Sequence, residues 1–462
     1  MFRVLFGLLG VTSALSLPFE RLGGTQTVFD SQLPNSEPAD LPVSNPTHSF
    51  WINSPGANPL AGEGSTGDLT DEADVCIIGS GITGCRPRRN GGNLTPYEFL
   101  GFRKVQAMFG SEQAIRYYNL EHYTATEMDK IARTQGWVET VDLVEGGHMD
   151  VMLTDARVKE VRADFDAAVA AGKQVNVTWL SKEEMKSEYG TFNAGVRSPG
   201  YNVWPLKWVT QLFKLAHRTT PALDLRLHTR TPVTAVTTSS LRRWTLTTPR
   251  GAVHCSYVTH ATNAYASHLL PHMHGTAGIV PVRGQVIALR ADAALADLTR
   301  VSWVGGGGYW FPRPVAAESE QPLIILGGTR DVAGAPFEEG LTDDATMNPA
   351  VGRALRAFLP ALFPGLFPKG REPEREWTGI MGYTALDIPF VGPVINPAVE
   401  EGYYKGQYVS AGYAGHGMPR AFACAEVVIS MIAADMADKP WTAPEWFPSP
   451  FLTWVRDAQA PL

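Results

Sequence analysis

A short apolar run followed at once by a glycine-rich turn constrains the fold of this chain more than any other stretch. Residues 75–78 read Val-Cys-Ile-Ile, which predicts a short, buried parallel strand. Residues 79–84 follow directly and fit the pattern G-x-G-x-x-G. Glycines allow a tight turn and a close approach of the backbone to a pyrophosphate, which the N-terminus of the next helix stabilises. The pattern predicts a dinucleotide site, with a plain glycine turn as the alternative, and its residues are Gly79, Ser80, Gly81 and Gly84.

The residues after this turn do not complete the unit that such a turn normally opens. Pro87 and the glycine pair 91–92 prevent a long helix after Gly84. A complete βαβ unit takes about 30 residues, and its second strand should end in an acidic residue roughly 20 residues on. No Asp or Glu stands between Asp74 and Glu98, so the crossover helix and the second strand are predicted to be missing. Either the coding sequence has lost a segment, which is the favoured hypothesis, or the deletion is real and weakens cofactor binding.

Length, charge and hydropathy exclude some classes of protein. The chain has 462 residues and a formal net charge of −7, which argues against a nucleic-acid-binding surface. Residues 1–16 combine an early Arg3, an apolar stretch and small residues, and they resemble a secretory signal peptide, with a buried N-terminal helix as the alternative. The first interpretation predicts a secreted protein, and the second predicts the cytoplasm or a peroxisome. No other apolar run is long enough for a membrane-spanning helix.

The four cysteines predict neither a metal site nor a disulfide framework. No two of them have the C-x-x-C spacing that is typical of metal-binding or thiol-exchange sites. Cys76 and Cys255 lie in apolar, strand-like surroundings. They are therefore predicted to be small core residues, because disulfide frameworks are typical of much shorter and more cysteine-rich chains.

The order of helical and strand-like patterns predicts an α/β chain, α+β overall, built from two interleaved domains. Strands beside glycine turns and helices are typical of a Rossmann-like layer, which is predicted for residues 74–140, 201–275 and 376–440. Clustered strands are typical of an antiparallel sheet, which is predicted as a substrate domain for residues 141–200 and 276–375. The remaining parts are an extended arm at 17–73, whose residues 49–51 contact the main body, and a C-terminal tail at 441–462.

Six blocks of the chain, taken together and in order, resemble a known family. They lie at 75–84, 89–95, 231–236, 258–264 and 279–285, and in a C-terminal pair at 376–392 and 412–418. In this order they resemble the FAD-dependent oxidoreductases of the D-amino-acid oxidase, glycine oxidase and sarcosine oxidase superfamily. The resemblance extends over about residues 74–437.

The resemblance implies an FAD cofactor that is bound non-covalently. It implies that Gly79, Gly81 and Gly84 contact the pyrophosphate and that Val233 meets the adenine through its backbone. The other residues that it places along the cofactor are Arg89, Asn90, Gly91, Gly92, Thr262, Asn263, Gly415, His416, Gly417 and Met418. Independently of the family, a glycine-rich loop before a helix offers N–H groups and a positive dipole end, which stabilise negative charge on a reduced flavin. A plain helix-entry turn is the alternative for residues 412–418.

The function that the resemblance implies is oxidation of an amine or amino acid by hydride transfer to FAD. Such substrates often carry a carboxylate, which favours a bidentate arginine, and the candidates are Arg283, Arg313 and Arg330. Tyr309 and Trp310 are candidates for the wall of an amine pocket.

Each of these interpretations has an alternative. For each arginine the alternative is a structural ion pair, and His416, a candidate proton acceptor, has a structural loop role as its alternative. A non-catalytic binding protein on a degenerate flavoprotein scaffold is a second function. A dehydrogenase that uses only a nicotinamide cofactor is a third, against which the loop at 412–418 argues.

Overall fold

The computed structural model describes residues 37–79, 91–219 and 224–457. Its helices are α1 (Phe50–Asn53), α2 (Phe102–Thr134), α3 (Asp155–Ala170), α4 (Lys182–Tyr189), α5 (Pro205–Thr219), α6 (Ala266–Leu269), α7 (Leu295–Leu298), α8 (Pro349–Leu362), α9 (Ala421–Met436) and α10 (Thr453–Asp457). Its strands are β1 (Glu72–Ile78), β2 (Asn93–Leu94), β3 (His148–Met152), β4 (Thr178–Leu180), β5 (Ala194–Ser198), β6 (Tyr201–Asn202), β7 (Ala235–Thr238), β8 (Trp244–Thr248), β9 (Gly251–His260), β10 (Val280–Arg290), β11 (Ser302–Gly305), β12 (Gly308–Pro312), β13 (Leu323–Gly328), β14 (Arg375–Tyr383), β15 (Phe390–Pro393) and β16 (Gln407–Ala411). None of the described helices is both long and apolar enough to cross a membrane.

The first sheet brings three strand ends together. Its order is β15-β16-β9-β8-β7, and β1 pairs with β9 in addition. Both β1 and β16 run parallel to β9, and Ile78 and Val409 both lie opposite His260 at its end. Ligands bind beyond the carboxyl ends of strands in sheets of this kind. The chain segments that follow these three strands are therefore placed to form a binding site.

The second sheet is larger and almost entirely antiparallel. Its eight strands have the order β14-β10-β13-β12-β11-β3-β5-β4, and only the pair β11–β3 is parallel. The long strand β10 pairs with β14 along nine residues, so β14 belongs to this sheet although the sequence boundary at 376 assigned most of it to the other domain. One Rossmann-like layer and one antiparallel sheet confirm the predicted fold class.

The prediction that residues 75–78 form a buried strand is only half right. They do form a strand, parallel to β9. However, the side chains of Val75 and Ile77 are 37% and 48% exposed. The reason is that β9 is the only described strand that pairs with β1, and nothing in the described part of the chain covers these two side chains. An open edge and an uncovered apolar face are what a missing helix and strand would leave.

The prediction for the cysteines was wrong, since Cys76 and Cys255 form a disulfide between β1 and β9. The parallel pairing of the two strands brings the Cα atoms within 6.0 Å, although 179 residues separate them in the sequence. That distance lies in the range that a disulfide requires. Spacing along the chain did not reveal this pairing, because it depends on which two strands become neighbours.

The arm before β1 packs onto the body of the protein through one aromatic residue. Trp51 is fully buried and contacts the rings of Trp204 and Phe311. The indole N–H of Trp204 also donates to the carbonyl of Trp51 at 3.0 Å. The predicted contact of residues 49–51 with the main body is confirmed, and it secures the segment that lies beside the cavity.

Candidate active site

A cavity of about 3920 Å³ opens at the ends of β1, β9 and β16 and is lined by residues of both sheets. It contains the predicted cofactor residues that the structure describes, from Gly79 at the end of β1 to Met418 before α9. Five of the predicted cofactor residues, namely Ser80, Gly81, Gly84, Arg89 and Asn90, lie outside the described residues. The described residues of the two predicted loops, at 91–92 and 414–418, converge on this one cavity.

At two positions in the cavity wall, neighbouring atoms leave no space for a Cβ atom, so the residue must be glycine. Gly79 has a φ of +116°, and a Cβ atom there would collide with the carbonyl of Ala261. A Cβ atom on Gly91 would collide with the ring of Tyr309. Only glycine lets the backbone lie this close to its neighbours, so neither position accepts a larger residue without a shift of the surrounding atoms.

Asn263 binds the loop at 412–418 through two hydrogen bonds. The side-chain oxygen of Asn263 accepts hydrogen bonds from the backbone N–H of Gly412, at 2.9 Å, and of Tyr413, at 3.4 Å. The N–H groups of Gly415 and Gly417 have no partner among the described residues, and both glycines line the cavity. The loop therefore offers free donors to an acceptor group in the cavity. Asn263 thus positions the loop, and it also lines the cavity.

Three further predicted residues have different surroundings. Val233 lines the cavity and is partly buried among apolar side chains. Thr262 also lines the cavity, and its hydroxyl oxygen is buried without a partner in the described structure. Met418 is 6% exposed and packs in an apolar cluster with Trp208. The unpartnered Thr262 hydroxyl is a group that a polar ligand would satisfy.

The candidate arginines separate into two groups. The guanidinium of Arg283 donates to Glu338 and Thr346, and that of Arg313 donates to Asp142. Neither residue lines the cavity, so the ion-pair alternative describes both. Trp310 is likewise buried in an apolar core, outside the cavity wall.

Arg330 has the position that a carboxylate-binding residue needs. It lines the cavity, and its guanidinium lies 4.6 Å from the ring centre of Tyr383. Its Nη1 is buried and has no hydrogen-bond partner within the described ranges. An unsatisfied guanidinium nitrogen beside a cavity favours an anionic ligand group.

Tyr309 lies at the cavity wall. Its ring lies between Gly91 and Gly327, where added Cβ atoms would collide with it. Burial, and to a lesser degree Tyr383, raises the pKa of the Tyr309 phenol well above its usual range. The phenol is therefore protonated at neutral pH and can donate a hydrogen bond into the cavity. The predicted wall position of Tyr309 agrees with this geometry.

His416 belongs to a buried charge cluster that the sequence did not reveal. Its Nε2 lies 3.1 Å from Oε2 of Glu121, whose other oxygen accepts from Arg420 Nε at 2.8 Å. Burial alone would raise the pKa of Glu121, but His416 and Arg420 more than offset this effect and lower it to about 2. The only sequence signal for Glu121 was a carboxylate at a core-facing position of a helix, between the buried residues Leu120 and Thr124.

Two more cavity residues were missed. Glu339 is 7% exposed, lines the cavity, and has no side-chain partner in the part of the chain that is described. Burial raises the pKa of its carboxyl group, and Arg330 partly opposes this. His148 also lines the cavity, and burial, with a smaller contribution from His416, lowers its pKa to about 3. The available signal for His148 was a polar residue at the start of β3, a strand that also carries Asp150 among apolar residues.

These features fit the groups of a dinucleotide with a planar ring system. The glycines at 79 and 91 permit close approach, Thr262 leaves an unsatisfied polar atom, and the loop at 412–418 offers free N–H donors. Such donors suit an oxygen-rich ring that becomes negatively charged on reduction. The described residues therefore fit the cofactor that the resemblance implied.

Comparisons with known proteins support the same conclusion. The glycine oxidase of Pseudomonas aeruginosa is 25% identical over 210 residues, which cover 46% of this chain and 50% of that protein. The match thus spans about half the length of the curated relative. In structure, the chain is similar to a glycine oxidase from Geobacillus kaustophilus, with a TM-score of 0.60, 17% identity, and coverage of 83% of this chain and 99% of the other.

An L-proline dehydrogenase from P. horikoshii shares the fold to the same extent, with a TM-score of 0.60, 16% identity, and coverage of 84% of this chain and 99% of the other. The sequence model of the FAD dependent oxidoreductase family matches residues 88–431, well over half of the chain. This protein therefore belongs to the FAD-dependent oxidoreductase family, and its cofactor is FAD.

Proposed function

We propose that this protein oxidises a small amino acid or related amine by hydride transfer to FAD. The observation that carries the proposal is Arg330, which lines the cavity and whose buried Nη1 has no hydrogen-bond partner among the described residues. A guanidinium binds a carboxylate through two parallel hydrogen bonds, which fix the orientation as well as the position of the substrate. The relatives include glycine oxidases and an L-proline dehydrogenase, whose names describe substrates of this kind.

The residues around Arg330 suit the rest of such a substrate. Tyr309 and Tyr383 line the cavity, and burial keeps both phenols protonated by raising the pKa of each. Glu339 adds an unpartnered carboxylate to the same wall. Arg330 would bind the carboxylate of an α-amino acid, and Glu339 would attract its ammonium group. Hydride transfer requires the neutral amine, so the ammonium group first passes one proton to an acceptor in the cavity.

When bound, FAD supplies the acceptor for the hydride of the substrate C–H bond. The protein's own part is to position the substrate and to stabilise charge. The N–H groups of Gly415 and Gly417, which have no partner among the described residues, would stabilise negative charge that develops on the ring.

The substitution Arg330→Met tests the proposal. A hydrogen bond to a charged group contributes about 1.5–3 kcal/mol, so KM for α-amino acids should rise about 10- to 100-fold. The KM of the corresponding amine without a carboxylate should change little. Arg300→Met is the matched control, because Arg300 pairs with Glu318 on the surface and does not line the cavity. If KM rises equally for the amino acid and for the amine, Arg330 does not bind the substrate carboxylate.

The location of the protein is a separate proposal. We propose that the chain enters the secretory pathway, which the first 16 residues favour. The Cys76–Cys255 disulfide supports this proposal, since disulfides persist mainly in oxidising compartments. Fusing residues 1–36 to a reporter protein and measuring the secreted fraction tests it, and retention of the reporter in the cytoplasm would favour the alternative.

One observation favours a second candidate function. The exposed side chains of Val75 and Ile77 indicate that the cofactor layer lacks part of its cover. A chain with this defect would bind FAD weakly and would act as a non-catalytic binding protein. The visible absorption spectrum of the purified chain, after addition of FAD and desalting, separates the two. Flavin bands near stoichiometry support the enzyme, and a colourless protein supports the scaffold.

A further inference from the structure

We propose that Glu121 is a positioning residue that keeps a proton on Nε2 of His416 and thereby presents Nδ1 to the cavity as a proton acceptor. Glu121 lies within α2 and is fully buried, and it does not itself line the cavity. It therefore acts through His416, which does line the cavity. The proposal goes beyond the proposed oxidation and rests on it for one kinetic measurement only.

Three contacts fix the carboxylate of Glu121. Oε1 accepts from Nε of Arg420 at 2.8 Å, and Oε2 accepts from the backbone N–H of Tyr97 at 2.8 Å. Oε2 also lies 3.1 Å from Nε2 of His416. An ionised carboxylate has only acceptor atoms. The imidazole nitrogen that faces it must therefore carry the hydrogen.

Because Arg420 is present, Glu121 does not need a positive charge on His416 to stay ionised. Its guanidinium is 2% exposed and stays protonated at all accessible pH values. It therefore remains the countercharge of Glu121 whether or not His416 is charged. A buried carboxylate needs one well-placed cation to stay ionised, and Arg420 supplies it. His416 can therefore exchange its second proton without leaving Glu121 as an unpaired buried charge.

The other groups that face His416 carry no charge at neutral pH. The ring of Tyr97 stacks on the imidazole with 4.1 Å between centres, and burial keeps its phenol protonated by raising the pKa. Tyr117 on α2 stays neutral because burial, partly opposed by Arg420, raises its pKa to about 12. His148 on β3 is neutral because burial lowers its pKa to about 3. Among the described residues that contact this cluster, the charges near His416 are therefore those of Glu121 and Arg420.

The remaining nitrogen of His416 is available to a ligand. The side chain is 19% exposed, and Nδ1 has no partner among the residues that the structure describes. A neutral imidazole with its hydrogen on Nε2 has its lone pair on Nδ1. A donor in the cavity can then pass one proton to Nδ1, while the hydrogen on Nε2 stays in place and Glu121 stabilises the cationic ring. A carboxylate behind an imidazole orients the base of serine hydrolases in the same way.

Nitrogen NMR of the protein with ¹⁵N-labelled histidine tests the assignment without any cofactor. The signal of His416, one of 11 histidines, is identified by its loss in the substitution His416→Gln. The spectrum is recorded about two pH units above the ordinary histidine pKa of about 6.5. We expect Nε2 to give the shift of a protonated nitrogen and Nδ1 that of an unprotonated one. A proton on Nδ1, alone or together with one on Nε2, would overturn the proposal.

The substitution Glu121→Gln identifies the cause of this preference. The Gln amide can donate as well as accept, so we expect His416 to lose its fixed form and to show a shift change at both nitrogens. Glu98→Gln is the matched control, because Glu98 is a buried carboxylate 3.4 Å from His122 and does not line the main cavity. An unchanged His416 signal in folded Glu121→Gln would contradict the role of Glu121. If this substitution prevents folding, the spectrum of the unsubstituted protein still decides the proposal.

A kinetic measurement separates this role from general support of the fold. With FAD and an oxidised substrate, Glu121→Gln should lower kcat by roughly 100-fold, the lower end for a positioned proton-transfer group, while KM changes little. If Glu121→Gln instead raises KM by a similar factor and leaves kcat unchanged, Glu121 has a structural role. Absence of oxidation in the unsubstituted protein would contradict the proposed function but would leave the NMR result to decide the inference.

Discussion

At the scale of single residues, partners rather than residue type decide which charged side chain is available for chemistry. Arg283 and Arg330 occupy similar strand-end contexts in the sequence, yet the first is paired with Glu338, whereas Nη1 of the second has no partner in the described part of the chain. The same reasoning separates Glu338 from Glu339, which are neighbours in the chain. Glu338 binds Arg283, whereas Glu339 lines the cavity without a partner in the described structure.

The low pKa of Glu121 predicts a loss of stability in acid. Its pKa in the folded protein is about 2, below the ordinary value of 4.5. The ionised group therefore adds stability that is fully present above about pH 5 and is lost as the pH falls towards 2. A shift of this size corresponds to roughly 3 kcal/mol. Urea unfolding between pH 7 and pH 3 should therefore show a steeper fall for the unsubstituted protein than for Glu121→Gln. The control is Glu112→Gln, whose carboxylate is 74% exposed, and it should keep the original slope.

A second prediction at this scale concerns Gly91. In Gly91→Ala the new methyl group meets the ring of Tyr309 and must displace it or the loop. We expect the substitution to lower FAD retention several-fold and to destabilise the fold by about 1–3 kcal/mol, as overpacking does. Gly365→Ala is the matched control, because Gly365 also lacks a positive φ and has open space around its Cβ position. Bound flavin, measured by absorbance, and the Tm are the readouts. Equal effects of both substitutions would contradict a specific role of Gly91.

At the scale of elements, β1 forms the predicted strand, but the described residues do not cover its apolar face. It pairs with β9 in parallel, and a disulfide joins the two strands. Yet its outward side chains Val75 and Ile77 are exposed. Most strands of this kind have helices over both faces. The disulfide therefore fixes β1 on β9, because β1 makes few apolar contacts of its own.

The disulfide leads to a prediction about β1. A native disulfide stabilises a protein by about 2–4 kcal/mol. We expect reduction with dithiothreitol to lower the Tm of the protein and of Cys424→Ala, since Cys424 is the free cysteine among the described residues and is buried in α9. The double substitution Cys76→Ser, Cys255→Ser should start from the lower Tm and should not respond to reduction. A Tm that is insensitive to reduction in all three proteins would contradict a stabilising disulfide.

At the scale of the whole molecule, the cavity is a joint product of the two sheets. Gly79, Thr262 and the loop at 412–418 come from the ends of the first sheet, whereas Tyr309 and Tyr383 come from strands β12 and β14 of the second. Each sheet alone supplies only part of the wall. Binding of FAD should therefore stabilise the folded protein as a unit.

This coupling gives a prediction for FAD. A ligand at about 100 times its Kd stabilises the folded state by about 2.7 kcal/mol, so FAD should raise the Tm and give visible flavin bands. A variant with a helix and strand inserted after Gly84 should bind FAD more tightly, because the insert would cover Val75 and Ile77. The same titration with nicotinamide adenine dinucleotide is the control and should have no such effect. No response to FAD in either protein would contradict the assignment of the cavity.

Local sequence patterns determined the parts of this protein that depend on backbone geometry. A short apolar run predicted β1, and the glycine-rich stretch at 412–418 predicted the loop before α9. Periods of hydrophobicity separated helices from strands and so indicated two interleaved layers. These features are encoded by neighbouring residues, because turns and strand faces depend on φ, ψ and alternation over a few positions.

Only the tertiary structure decided the partners of the chemically active side chains. His416 meets Glu121 across 295 residues, Arg420 meets Glu121 across 299, and Cys76 meets Cys255 across 179. The same holds for Arg283, which is paired, and Arg330, which is free at Nη1. Charge pairing, burial and disulfide formation depend on which strands and helices become neighbours. A residue's own sequence context does not contain that information, so the sequence determined the frame and the cofactor class, and the fold decided which side chains meet.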